Sequence, residues 1–140
     1  MADAAGMDWE DAFLNTVYIP DGPSYPARWQ ARAAAFRAAA QAQLDIPYGA
    51  HPRERFDLFL PEGAPKGLAI IIHGGFWLAF DKTIWSDLAQ GALAHGWAVA
   101  FPGYTLAPEA RVADITAQIG RAVTAAAGMV AGPIRLCGHS

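Results

Sequence analysis

The feature that most constrains this chain is Leu68–Trp77, an apolar run that leads directly into two adjacent glycines. Its first five residues are Leu-Ala-Ile-Ile-Ile, which is typical of a strand covered by helices on both faces. His73, Gly74 and Gly75 follow, and the two glycines allow a sharp turn that leaves backbone N–H groups uncovered. N–H groups at the end of a rigid strand can bind an oxygen that becomes negative during acyl transfer.

The end of the sequence has a similar arrangement. Ile134–Gly138 is a second apolar strand candidate, and His139 and Ser140 follow it. Gly138-His139-Ser140 forms the first three-fifths of a Gly-x-Ser-x-Gly nucleophile elbow, which places a serine on a strained strand-to-helix turn. Taken alone, the tripeptide also fits an ordinary strand end. Together with the Gly-Gly strand end upstream, it predicts that Ser140 is a nucleophile.

These two segments resemble the α/β-hydrolase fold, in particular its hormone-sensitive-lipase-like esterases and bacterial kynurenine formamidases (arylformamidases). Gly103–Glu109 supports the resemblance, because the superfamily often carries a similar Tyr-Arg-Leu-Ala-Pro-Glu. Here Thr105 replaces the arginine, so a salt bridge from that position is not expected. The resemblance covers roughly residues 45–140 and implies that they form the N-terminal half of a hydrolase domain. Residues 1–44 are expected to be an N-terminal arm and helix.

Hydrophobic patterns elsewhere predict an α/β fold with a mainly parallel sheet flanked by helices. The predicted strands are Asp45–Tyr48, Arg55–Leu60, the Leu68 run, Trp97–Phe101 and Ile134–Gly138, and the predicted helices are Tyr25–Gln43, Thr83–Ala94 and Arg111–Ala127. A short helix near Trp9–Phe13 is the only element expected before Tyr25. Asp81 is expected to cap the second helix. Reactive groups should lie at the carboxyl ends of the strands, where His73 and Ser140 are found.

The Tyr25–Gln43 helix leaves two interpretations open. Tyr25, Trp29 and Phe36 recur at near-helical spacing, so this stripe can simply pack on the body of the protein. The resemblance implies instead that the N-terminal arm folds over the site as a cap. In that case Asn15 and Tyr18 would reach the substrate.

The resemblance also assigns roles within the site. Ser140 would attack a carbonyl carbon, while the N–H groups of Gly75 and Phe76 would face the oxyanion. His73 and Gly74 would support this loop, His73 through ring hydrogen bonds. The residues expected to line a substrate pocket are Trp77, Phe80 and Tyr104, each of which also fits a core position. The triad acid and histidine follow the serine in this fold, so we expect both beyond residue 140.

Composition limits the partners. A net charge of −3 and a pI of about 5.7 argue against nucleic acid or an anionic membrane as partner. The single Cys137 excludes an internal disulfide, suits a reducing compartment, and is expected to be a small buried residue. We therefore expect a cytoplasmic protein with a small-molecule ester or aryl formamide substrate and neither metal nor cofactor. A homodimer is left open.

Three other functional classes compete with a formamidase-like enzyme. A general carboxylesterase would share the fold, but a third glycine or alanine is usual there where Phe76 follows Gly75. A non-catalytic ligand-binding protein would keep the Gly-Gly loop and lose the triad, since fold does not fix function. A dinucleotide-binding domain is disfavoured because the sequence has no Gly-x-Gly-x-x-Gly or P-loop.

Overall fold

The computed structural model describes residues 6–140, which form a five-stranded sheet flanked by helices. The strands are β1 (Ala42–Pro47), β2 (Arg55–Phe59), β3 (Leu68–Ile72), β4 (Ala98–Pro102) and β5 (Ile134–Gly138). The α-helices are α1 (Trp9–Phe13), α2 (Asn15–Tyr18), α3 (Tyr25–Ala39), α4 (Ala89–Ala94) and α5 (Val112–Ala127). Two 3₁₀ helices cover Gly22–Ser24 and Lys82–Leu88. This is the α/β architecture that the sequence predicts.

Four of the five strands in the described sheet run in one direction, which confirms the prediction of a mainly parallel sheet, and β2 runs the opposite way, which makes the sheet mixed. The strand order is β1-β2-β4-β3-β5, and β2 runs antiparallel to both β1 and β4. β3 runs parallel to β4 and to β5. Parallel neighbours need a long crossover, usually a helix, whereas a short turn can join antiparallel ones. No helix lies between β1 and the antiparallel β2, whereas the parallel neighbours β3, β4 and β5 are joined through α4 and α5.

Apolar layers cover both faces of β3. Leu68 and Ile70 belong to the layer that includes Ala126 of α5. Ala69 and Ile71 pack against the opposite layer, to which α3 and α4 contribute. The continuous apolar run of β3 therefore has the two-sided cover that it predicts. Within residues 6–140, no helix combines the length and the apolarity needed to cross a membrane.

The apolar stripe predicted on helix α3 faces the rest of the protein. Ala33 is buried, Trp29 and Phe36 are half-buried, and the Phe36 ring lies 5.2 Å from that of Phe59. The helix ends at Ala39, earlier than predicted, because the chain from Ala42 onward pairs with β2.

The predicted helix over Thr83–Ala94 begins instead as the 3₁₀ helix and becomes α-helical only at Ala89. The expected cap is present, because the Asp81 carboxylate accepts a hydrogen bond from the Thr83 N–H at 3.1 Å. Capping chemistry thus locates the start of this element without fixing its helix type.

Strand β5 forms one edge of the described sheet, and all five of its residues are exposed. Cys137 is therefore exposed, and the expectation that it is buried is wrong. The physical reason is position: β5 pairs with β3 on one side only among residues 6–140. An apolar sequence alone does not distinguish an edge strand from a central one.

A charged cluster around the buried Asp57 joins α3 to the sheet. Its other members are Arg37, Lys82, Ser86 and Asp45, whose side chain is exposed. Asp57 is fully buried, and its carboxylate receives Lys82 Nζ at 2.7 Å and the Asp45 N–H at 2.9 Å. Arg37 pairs with the same carboxylate and also donates to Ser86 Oγ at 3.2 Å. Lys82 Nζ lies 2.7 Å from Asp45 as well. Each buried charge has an opposite charge beside it, as burial requires.

Candidate active site

Ser140 lies at a strained backbone position directly after β5. Its φ is +56°, in the left-handed region that non-glycine residues rarely adopt. His139 continues the strand pairing, since its N–H donates to the Ile72 carbonyl at 3.0 Å. Such a conformation costs about 1–3 kcal/mol and persists only where the surroundings hold it. This is the backbone geometry expected of a nucleophile elbow.

Gly74 brings the loop after β3 into contact with this elbow. A Cβ atom at Gly74 would lie 2.5 Å from the His139 carbonyl oxygen and 2.7 Å from Ser140 Cβ. Neither distance is sterically allowed, so only glycine permits this approach. The two segments singled out from the sequence are therefore adjacent in space.

Gly75 and Phe76 form a tight turn beside Ser140. Gly75 has a φ of +120° and Phe76 a φ of +53°, and the Gly75 carbonyl accepts from the N–H groups of Leu78 and Ala79 at 2.9 and 3.0 Å. Within residues 6–140, the N–H groups of Gly75 and Phe76 donate to no protein acceptor. They are therefore free to receive an oxygen from a ligand.

His73 is buried beneath this turn and holds it through one ring nitrogen. Its Nδ1 lies 2.8 Å from the Gly74 carbonyl oxygen, which can only accept, so Nδ1 carries the proton. Burial lowers the pKa of His73, which keeps the ring neutral. Because the peptide group is planar and trans, fixing the Gly74 carbonyl also fixes the direction of the Gly75 N–H.

Tyr104 supports His73 from the end of β4. The two rings stack with centroids 4.4 Å apart and planes 14° apart, and the Tyr104 hydroxyl donates to the His73 carbonyl at 2.8 Å. Tyr104 is only 1% exposed, and burial raises the pKa of its hydroxyl. Its ring and its hydroxyl are thus engaged within the protein.

A cavity of about 630 Å³ opens beside Ser140. Aromatic rings form much of its wall: Trp29 lies 5.3 Å from Trp85, and Phe80 lies 5.8 Å from Trp85 in a T-shaped contact. The rest of the lining comes from the N-terminal segment, the start of α3, the loop after β3 and the elbow. It includes Asn15, Thr16, Ile19, Gly22, Tyr25, Pro26, Gly75, Phe76, His139 and Ser140. Volume and lining suit a small apolar or aromatic group.

The three predicted pocket residues do not share one cavity. Phe80 lines the large cavity, whereas Trp77 and Tyr104 line a smaller one of about 320 Å³ that also reaches Ser140. Asn15 lines the large cavity, as the cap interpretation requires. Tyr18 does not line it, and its hydroxyl instead donates to Asp11 at 2.6 Å.

Sequence reasoning missed Trp85 and placed Trp29 only in a packing stripe. The spacing of Trp29 correctly indicates an inward face but does not say which part of the body that face meets. Trp85 follows the Asp81 cap by four residues, and nothing in the local sequence marks it as a cavity residue. Both positions are set by long-range packing between α3 and the 3₁₀ helix.

The other three histidines make contacts of their own away from the Gly75 turn. His51 Nδ1 accepts from the Arg53 N–H at 3.1 Å, and its Nε2 lies 3.0 Å from Glu109. His95 is the C-terminal cap of α4. His139 rests against Trp85 at 5.2 Å. Among the residues that the structure describes, no three His, Cys, Asp or Glu side chains group to hold a metal ion.

Thr105 occupies the position where the superfamily often has arginine. It is buried and makes a reciprocal pair with Gln118: the Thr105 N–H donates to Oε1 at 2.8 Å, and Nε2 donates to Oγ1 at 3.0 Å. The polar groups at this position are therefore satisfied without a charge.

Comparison with known proteins shows which fold this geometry belongs to. No protein-family model matches the chain. A solved structure from Silicibacter sp., whose assignment as a thioesterase is provisional, is 54% identical with a TM-score of 0.90, covering 96% of this chain and 52% of that one. Esterase B from Lactobacillus rhamnosis is 22% identical with a TM-score of 0.64, covering 96% and 46%. The chain has the α/β-hydrolase fold.

Two curated relatives that the chain resembles in sequence are kynurenine formamidases. The chain is 30% identical over 108 residues to the kynurenine formamidase of Danio rerio, covering 74% of this chain and 37% of that protein. The formamidase of Salmo salar is 29% identical over the same length. The chain thus spans about a third of the length of the curated relatives that it matches.

Proposed function

We propose that this protein is a serine hydrolase that cleaves small aryl esters or N-formyl aryl amines through an acyl-enzyme on Ser140. The observation that carries the proposal is the meeting of three features. A serine lies in a left-handed backbone position, a glycine loop contacts it, and Gly75 and Phe76, whose N–H groups have no acceptor among residues 6–140, line the same cavity. The similarity to kynurenine formamidases supports the substrate class.

In this proposal Ser140 Oγ attacks the carbonyl or formyl carbon and gives up its proton to a base. The carbonyl oxygen becomes an oxyanion, which the N–H groups of Gly75 and Phe76 stabilise; one such donor is typically worth about 3 kcal/mol of barrier. The tetrahedral intermediate expels the alcohol or the aryl amine, which takes up the proton. Water then hydrolyses the acyl-enzyme and releases the acid, which is formate for a formamide.

His73 acts as a loop support in this scheme. It is neutral, and its Nδ1 hydrogen-bonds to the Gly74 carbonyl of the loop at 2.8 Å, with the Tyr104 hydroxyl a longer contact at 3.4 Å. The base and its orienting acid are proposed to follow Ser140 in the chain, as they do throughout the fold. The proposed location is the cytoplasm, because a single cysteine suits a reducing compartment.

The N-terminal segment is proposed to act as part of a cap over the site. Asn15 and Thr16 of α2 and Gly22 of the following 3₁₀ helix line the same cavity as Ser140. The stripe on α3 packs on the body as well, so the packing and cap interpretations are compatible. Trp29 serves both, since it contacts Trp85 and lines the cavity.

The experiment is a comparison of substrates on the full-length protein and its Ser140→Ala variant. kcat/KM is measured for N-formylkynurenine, phenyl acetate and a long-chain nitrophenyl ester. We expect the two aryl substrates to be preferred and the variant to lose activity on all three. Preference for the long chain would contradict the substrate class, and retained activity in the variant would contradict the mechanism.

A further inference from the structure

Arg53 joins two loops that meet at the candidate site. It lies between β1 and β2, and its Nε donates to the Tyr104 carbonyl at 2.7 Å. Its Nη2 donates to the Phe80 carbonyl at 2.8 Å and lies 3.4 Å from the Asp81 carboxylate. One planar guanidinium therefore links the end of β4 to the end of the loop that carries Gly75 and Phe76.

Phe80 has a backbone conformation that needs such a restraint. Its φ is +73°, in the left-handed region that is unfavourable for a bulky residue. Conformations of this kind persist only where neighbouring groups hold them. The hydrogen bond from Arg53 acts on the carbonyl of this strained residue, so it directly restrains the backbone that aims the Phe80 ring.

The Phe80 ring is in turn the link between the aromatic wall and the glycine loop. A Cβ at Gly75 would lie 2.9 Å from Phe80 Cδ2, so the ring covers the Gly75 backbone. The same ring makes edge contacts with Trp85 at 5.8 Å and with Trp29 at 6.3 Å. A small displacement of Phe80 would therefore change the shape of the cavity beside Ser140.

We propose that Arg53 is a positioning residue that sets the Phe80 ring and thereby the preference of the site for aryl over small alkyl substrates. This inference rests on the proposed function. Arg53 acts through Phe80 and does not touch the substrate. Its ion pair with Asp81 is partly exposed, so that pair alone would contribute little.

The experiment is a double-mutant cycle in the full-length protein with Arg53→Met, Phe80→Leu and their combination. The readout is the ratio of kcat/KM for phenyl acetate to that for ethyl acetate. Misplacing a positioning group can cost up to about 100-fold, and we expect Arg53→Met to lower the ratio about tenfold, mainly through KM for the aryl ester. In the Phe80→Leu background Arg53→Met should lower it no further, because its effect passes through that ring.

Two further variants make the outcome decisive. Arg32→Met removes another arginine–carboxylate pair, in which Nε lies 3.0 Å from Asp87, and should leave the ratio unchanged. Arg53→Lys keeps the charge but not the planar fork, so it should fold and lose part of the preference even where Arg53→Met does not fold.

An unchanged ratio in the Arg53 variants, or effects that simply add in the cycle, would overturn the inference while the wild type remains active. A wild type that hydrolyses neither ester and takes no fluorophosphonate label on Ser140 would overturn the proposed function, and this inference with it.

Discussion

The loop after β3 and the charged cluster around Asp57 differ in whether their polar groups have partners within the protein. In the cluster, Asp57 is fully buried and is paired with both Lys82 and Arg37. In the loop, Gly75 and Phe76 leave their N–H groups without protein acceptors among residues 6–140, and the backbone of Phe76 is strained. The first arrangement fixes the structure, whereas the second leaves groups ready for a ligand. Strained positions with N–H groups open to a ligand thus mark the candidate site better than buried charges do.

The first prediction concerns the charged cluster around Asp57 and has the largest expected effect. Asp57→Ala removes the carboxylate that pairs with Lys82 and Arg37. Breaking a buried ion pair by removing one partner costs about 3–5 kcal/mol. We therefore expect a loss of this size in the free energy of unfolding, measured by urea denaturation. Activity per folded molecule should stay close to that of the wild type, because the cluster lies outside the site. A stability unchanged within error would mean that the cluster is not a structural anchor.

The second prediction concerns the loop after β3. Gly74→Ala places a methyl group against the His139 carbonyl and Ser140, so it should displace the nucleophile and lower kcat/KM by about 100-fold or more. Gly91→Ala is the matched control, because a Cβ at Gly91 meets nothing within 4 Å and the residue lies in α4. That control should keep its activity and gain up to about 1 kcal/mol of stability. Equal activity losses in the two variants would contradict the contact.

The third prediction tests whether His73 supports the loop or transfers protons. His73→Phe keeps a ring to stack on Tyr104 but removes the hydrogen bond to the Gly74 carbonyl. Losing one such bond is worth about 1 kcal/mol, so we expect a drop in kcat of about fivefold to tenfold with little change in KM. A larger loss with an altered pH profile would show that His73 transfers protons and is not a support.

The fourth prediction has the smallest effect and concerns pH. The His51 N–H donates to the Glu54 carboxylate, and together with the pairing to Arg121 this lowers the pKa of Glu54 from its ordinary value. A lowered folded-state pKa stabilises the protein above the unfolded value, and that stabilisation disappears as pH falls through the folded value. The free energy of unfolding should therefore decrease as the pH is lowered below about 4.5. Glu54→Gln should show a weaker dependence in that range, whereas an identical slope would contradict the assignment.

The sequence predicts the site better where the signal is local. Ser140, Gly74 and Gly75 are marked by short motifs whose backbone requirements can be read directly, and their adjacency follows from parallel strands ending at one edge. The 3₁₀ start at Lys82 and the antiparallel placement of β2 depend on how segments pack, so local patterns do not fix them. Cys137 illustrates the same limit, since an apolar strand has the same composition at an edge as in the centre.

Long-range partners explain what sequence reasoning missed around the cavity. Arg53 acts on carbonyls 27 and 51 residues away in the chain, and backbone carbonyls leave no mark in a sequence. Trp77, Phe80 and Tyr104 were expected to line one pocket because they follow neighbouring strand ends. The strained turns at Trp77 and Phe80 send these residues to two different cavities.

The central claim is that Ser140 is the nucleophile of this site. The most direct measurement is treatment of the full-length protein with a fluorophosphonate, followed by digestion and mass spectrometry of the adduct. We predict a single adduct on Ser140, with none in the Ser140→Ala variant. An adduct on another residue, or no adduct in a preparation that still hydrolyses aryl esters, would contradict the claim.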